Sequence, residues 1–168
     1  ISIMAAVGDP FQPIAVGLLM GAIESGQDVL LGGGCQMLAV LALALNEVQP
    51  ESRSEFVERI LIGTTSWLVA ESLSSSKKRN SFIHLINHVA KHFKVKILGL
   101  ASGYRFKDSN QKVLRDYELG YVKEGVGAGA LSLLAQINGL TQEQMIKICD
   151  REVDNLFKSE NLKTISGI

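Results

Sequence analysis

Three short apolar runs in this sequence each end on glycines or hydroxyl residues. They are Val29-Leu30-Leu31 leading into Gly32-Gly33-Gly34, Ile60-Leu61-Ile62 leading into Gly63-Thr64-Thr65, and Ile97-Leu98-Gly99-Leu100 leading into Ala101-Ser102-Gly103. Runs this short and this apolar suit strands covered on both faces. Helix-patterned stretches separate the three, and strands joined through helices lie parallel. The expected fold is α/β: a mainly parallel sheet with helices on both faces, Rossmann-like and three-layered. Its 168 residues fit a single α/β domain over 1–168. Three strands make a small sheet, so the sequence reads as a partial domain that a neighbouring chain or a further segment completes. Open parallel sheets bind ligands beyond the carboxyl ends of their strands. The loop Gly32-Gly33-Gly34 lies at such an end and opens directly onto the helix-patterned run Gln36 to Leu45.

The remaining elements follow from periodicity and punctuation. Gly8-Asp9-Pro10-Phe11-Gln12-Pro13 is a turn cluster, so the first helix is expected over Ile14 to Glu24, closed by Gly26. Asp9 within it reads as a turn residue in preference to a ligand contact. Gln49 to Ser54 reads as a polar connection and Ser72 to Ser81, which contains Lys77-Lys78-Arg79, as a surface loop. Phe82 to Phe93 is amphipathic and helical, and Asp108 to Leu119 is helical in part. A helix from Ala130 to Ile137 breaks at Asn138-Gly139. Thr141-Gln142-Glu143-Gln144 has the pattern of a capping box, opening a final helix to about Phe157 before a frayed tail.

One stretch carries chemistry more than the others. In Tyr121-Val122-Lys123-Glu124-Gly125-Val126-Gly127-Ala128-Gly129-Ala130 a carboxylate stands directly before three alternating glycines that lead into a helix. Glycines permit close backbone approach to a ligand, and a helix N-terminus faces anions well. Glutamate at that position is a structural or a functional residue with equal weight on composition alone.

Bulk properties exclude several classes. Seventeen basic and seventeen acidic side chains balance to a formal net charge of zero, which offers no general attraction for nucleic acid or an anionic membrane. The longest apolar run, Met37 to Leu45, is far short of the about 20 residues a bilayer span needs. Neither a membrane nor a nucleic acid is an expected partner. With two cysteines and no basic leader before an apolar stretch, a reducing cytoplasm is the expected setting. His84, His88 and His92 share one helical face, but no cysteine or paired carboxylate accompanies them, so they read as a polar face and no metal is expected. Cys35 has no recognisable activating partner in the sequence and reads as a packing residue.

The chain resembles the carboxyl-terminal half of the nicotinate-nucleotide:5,6-dimethylbenzimidazole phosphoribosyltransferase family of cobamide synthesis, in its archaeal and cyanobacterial branch. Val7-Gly8-Asp9-Pro10, Leu30 to Val40, Ile60 to Thr65 and Lys123 to Ala130 carry the resemblance, the last being the most specific. It implies transfer of phosphoribosyl from nicotinate mononucleotide to a benzimidazole base, with no further cofactor. It casts Glu124 as the general base, and it implies glycine-loop contacts to phosphate and ribose at Gly33, Gly34, Gly125 and Gly127. Gly63 with Thr64, and Ser102 with Gly103, occupy strand ends of the same kind. The apolar composition adds the expectation of a homodimer. The family's other substrate motif, Gly-Glu-Met-Gly-Ile-Gly-Asn-Thr-Thr, has no counterpart in this sequence. The alternative is therefore a non-catalytic nucleotide-binding or phosphate-binding homologue, or a partner-dependent subunit.

Overall fold

The computed structural model describes residues 9–74, 82–119 and 127–166. Its centre is a parallel sheet of β1 (Val29–Gly32), β2 (Ile60–Thr65) and β3 (Leu98–Ser102), in the order β1-β2-β3. Val29 pairs with Ile60 and Gly32 with Gly63, while Leu61 pairs with Leu98 and Thr65 with Ser102. This register brings the three small-residue strand ends side by side, as the apolar runs led one to expect.

Alternation along the strands assigns their two faces. Leu31 and Ile62 join a core with Val16 and Leu19 of α1 (Phe11–Glu24), Leu38, Leu41 and Leu45 of α2 (Cys35–Glu47), and Phe82 of α5 (Phe82–Phe93). Gly32 and Gly63 face the other way, against Ala130 of α7 (Ala128–Ile137). Helices therefore cover both faces of β1 and β2, whereas Leu98 and Leu100 of the edge strand β3 are exposed. Leu41, Leu45 and Ile62 are fully enclosed, so the Ala/Leu-rich helix α2 is core and not an exposed association surface. On α1, by contrast, Phe11, Ile14 and Leu18 are exposed.

Several boundaries differ from the sequence expectation. Helix α1 begins at Phe11, before Pro13, because a proline in the first turn lacks only an N–H that has no intrahelical acceptor anyway. Asp9 is a turn residue, its Oδ1 accepting the Phe11 N–H at 2.9 Å. Gly26, at φ 75°, ends the helix with bonds from Gly26 N–H to Ile23 and from Gln27 N–H to Ala22, both 2.9 Å.

The expected polar connection after α2 contains a 3-10 turn, Pro50–Ser52, and a short helix α3 (Arg53–Glu58) that buries Phe56 and Val57. Arg53 anchors it: its Nε donates to the carbonyls of Leu45 and Val48, and its guanidinium lies 5.1 Å from the Phe93 ring centre. Helix α4 (Ser66–Ser74) starts directly at the end of β2 and continues into the expected loop. Most of that loop, including Lys77, Lys78 and Arg79, lies outside the described residues.

After β3 the chain loops to α6 (Lys112–Glu118), then α7, then α8 (Gln142–Ser166). Helix α7 begins two residues before the expected Ala130, which places Gly129 inside its first turn. Helix α8 continues past Phe157 to Ser166, because no glycine or proline interrupts the sequence before Gly167. Its capping box forms as expected: Thr141 N–H donates to Gln144 Oε1 at 2.9 Å, and Gln144 N–H donates to Thr141 Oγ1 at 3.2 Å. The substitution Thr141→Ala leaves the Gln144 N–H without that acceptor. It should lower unfolding free energy by about 1 kcal/mol in urea denaturation, and an unchanged midpoint would show that the box contributes nothing.

Candidate functional site

The site is built where the three strands end. Parallel pairing aligns Gly32 with Gly63 and Thr65 with Ser102, so Gly33, Gly34, Gly63, Thr64, Ser102 and Gly103 gather along one rim of the sheet. Gly127, the residue that precedes α7, joins them from the next layer: a Cβ added there would lie 3.4 Å from the Gly32 carbonyl oxygen. Glu124 and Gly125 lie outside the described residues.

The rim brings these positions together but gives Gly63, with the neighbouring Gly32 and Gly129, a packing duty. An added Cβ on Gly32 would come within 2.8 Å of the Ala130 Cβ, and one on Gly63 within 3.0 Å of it. At Gly129 the approach is closer still, with an added Cβ 2.3 Å from the Thr64 carbonyl carbon and 2.6 Å from the Thr65 nitrogen. These glycines let α7 rest on the sheet at backbone distance. Two rim amides are also engaged within the protein. The Gly33 N–H donates to the Gly63 carbonyl at 2.9 Å, and the Gly103 N–H donates to Gln136 Oε1 at 2.9 Å. Neither is free to bind a ligand in this conformation.

Polar side chains make up what remains. Thr64, Thr65 and Ser102 are each 2% exposed. Ser102 Oγ accepts the Tyr104 N–H at 3.3 Å, whereas the hydroxyls of Thr64, Thr65 and the next residue, Ser66, have no hydrogen-bond partner. Thr65 and Ser66 were absent from the substrate residues read from the sequence, although the paired hydroxyls after Gly63 were a visible signal.

One wall of the site is aromatic. Trp67, in the first turn of α4, packs edge-on to Tyr117 with ring centres 5.2 Å apart, and lies 6.1 Å from Phe106. Tyr104, Phe106 and Met145 form a second buried cluster there, and the Tyr104 hydroxyl donates to the Leu140 carbonyl. Glu118, Gln142 and Asp150 hold the backbone after β3, accepting from the N–H groups of Phe106, Arg105 and Asn110 respectively. Sequence spacing could not reveal this wall, because its members come from four separate elements.

Other candidates fall elsewhere. Cys35 opens α2 beside the rim, and although it is exposed, partial desolvation pushes its thiol above the ordinary value. A thiol shifted that way is a poor nucleophile at neutral pH. Alkylation of Cys35 by iodoacetamide at pH 7, followed by mass spectrometry, should run slower than that of an unstructured cysteine peptide; a faster rate would mark an activated thiol. His84, His88 and His92 are exposed on α5. Among the described residues, no three of His, Cys, Asp and Glu are grouped to hold a metal ion. An apolar groove of about 360 Å³, lined by Leu30, Leu61, Leu98, Leu133 and Ile137 among others, contains none of the predicted residues.

The fold and site define a class: a parallel α/β protein whose glycine-rich and hydroxyl-bearing strand ends meet a helix N-terminus. The chain is similar to the UPF0284 protein of Prochlorococcus marinus (strain MIT 9313), 54% identical over 155 residues, 92% of this chain and 38% of that protein. It is also similar to UPF0284 proteins of Parasynechococcus marenigrum, 47% identical over 158 residues (94% of this chain and 39% of that protein), and Gloeobacter violaceus, 34% over 154 residues (92% and 38%). The chain thus spans less than two-fifths of the length of these relatives, and their shared name states no activity. No protein-family profile matches the chain.

Proposed function

We propose that the chain carries part of the catalytic site of a phosphoribosyltransferase of cobamide lower-ligand synthesis. The substrates are nicotinate mononucleotide and 5,6-dimethylbenzimidazole. The observation that supports this reading is the seating of α7: the helix that follows the Glu124-Gly125-Val126-Gly127 element packs onto the carboxyl ends of β1 and β2, where open parallel sheets take their ligands. In the reaction, one benzimidazole nitrogen attacks C1′ of the ribose and the C1′–nicotinate bond breaks, its electron pair leaving with nicotinate. Glu124 accepts the proton from the other benzimidazole nitrogen, the task of a carboxylate whose basicity is raised in an apolar site.

Two further features belong to the same proposal. A cytoplasmic setting is consistent with two free cysteines, and among the described residues no helix is long and apolar enough to cross a membrane. A homodimer would cover Phe11, Ile14 and Leu18 on α1, which are 51%, 64% and 71% exposed. Incubating the protein with both substrates and separating the products should yield α-ribazole phosphate and nicotinate in equal amounts. Binding of nicotinate mononucleotide by calorimetry without base exchange would favour the second reading, a non-catalytic or partner-dependent nucleotide-binding homologue. Absence of both would remove the assignment.

A further inference from the structure

The two faces of the sheet are not equally covered. Helices α2 and α5, which connect the strands, both pack into the core on the Leu31 and Ile62 face. Right-handed crossovers leave no other choice when strands are added in one direction, as in the order β1-β2-β3. On the opposite face α7 rests against Gly32 and Gly63, near the carboxyl ends. Nearer the amino ends, strand pairing aligns Leu30, Leu61 and Leu98 across all three strands of that face. They floor the apolar groove described above, and Leu133, Leu134 and Ile137 of α7 form one wall of it. Leu98, Leu134 and Ile137 are 62%, 45% and 65% exposed, and no residue of floor or wall belongs to either buried apolar cluster. Parallel sheets keep apolar cover on both faces, and a contiguous exposed apolar patch marks an interaction surface.

We infer that this groove is the docking site for the rest of the full-length family protein, which lays an amphipathic helix against α7. Length supplies the occupant: more than three-fifths of each relative lies outside the stretch that this chain matches. Topology supplies the kind of element, because the second face of a doubly wound sheet is covered by crossover helices of its other half. The floor agrees. It crosses the middle of the sheet, where β2 is already paired on both sides, so an added strand finds no free backbone to bond there. A helix bonds its own backbone and needs only an apolar face to lay down, with residues at i, i+3 or i+4, and i+7 on the leucines. Asp28, Glu58 and Arg59 border the groove and suit the polar flank of such a helix. The docking does not depend on the transferase reading, since none of the predicted substrate residues lines the groove. A helix lodged against Leu134 and Ile137 would also hold α7 down on the strands.

The test places a cysteine in the groove, as Leu98→Cys or Leu134→Cys in this chain and at the aligned positions of the full-length UPF0284 protein of Prochlorococcus marinus (strain MIT 9313). Each is labelled with N-ethylmaleimide and followed by peptide mass spectrometry, which keeps Cys35 and Cys149 separate. Labelling should be about tenfold or more slower in the full-length protein than in this chain, because the docked helix must open before the reagent enters. If one variant fails to fold, the other carries the comparison. Equal rates overturn the docking site. Protection in this chain alone that grows with protein concentration makes a second copy the occupant, and overturns it too. A photoreactive benzoylphenylalanine at the position aligned with Leu98 then identifies what covers the groove in the full-length protein. The captured peptide should come from the same molecule, outside the matched stretch; a peptide from inside that stretch, or from another copy, sinks the assignment.

Discussion

Gly129→Ala is expected to destabilise the protein by about 2–3 kcal/mol, although alanine is the better helix former. In an exposed helix the same change stabilises by up to about 1 kcal/mol. Here the new methyl would stand 2.3 Å from the Thr64 carbonyl carbon and 2.6 Å from the Thr65 nitrogen, and neither backbone atom can rotate away. Relief requires α7 to lift from the sheet, which opens its contacts with β1, β2 and β3 together. Helix α1 provides an internal control. Gly17 and Gly21 are also helical glycines, and an added Cβ on either meets nothing within 4 Å. Gly17→Ala should therefore match or exceed the parent in urea denaturation while Gly129→Ala falls well below it. Equal midpoints for the two variants would mean that α7 does not sit where the structure puts it.

The second large effect concerns turnover. Glu124→Gln should lower kcat for base exchange by roughly 10²–10⁴-fold, the range that general-base catalysis contributes. Glutamine preserves size and hydrogen bonding but cannot take a proton, so affinity for nicotinate mononucleotide should persist. A loss of kcat at constant binding separates a base from a residue that holds the substrate. Full activity in this variant would end the role assigned to Glu124. A loss of binding with no change in kcat would make it a substrate contact.

Much of the architecture was legible from the chain. The first two strands announce themselves because strands covered on both faces need short continuous apolar runs, and Leu30-Leu31 and Ile60-Leu61-Ile62 are such runs; the third was legible as an apolar run although Leu98 and Leu100 are exposed. Thr141 to Gln144 foretold its own reciprocal bonds because a capping box is local, closed within four residues. Arg53–Glu58 escaped notice because six residues are too few for a helical period to show, and its folding depends on burying Phe56 and Val57 in the common core.

The meaning of the glycines divides what is local from what is not. Composition and order dictated an α/β chain with small residues at the strand ends, because strand length, polarity and turn chemistry act between near neighbours. Whether a glycine is there for a ligand or for a packed backbone depends on what lies across from it, which periodicity does not encode. Only tertiary contact decided that Gly32, Gly63 and Gly129 seat α7 on the sheet, and that among the described residues the hydroxyls of Thr64, Thr65 and Ser66 are buried without a hydrogen-bond partner.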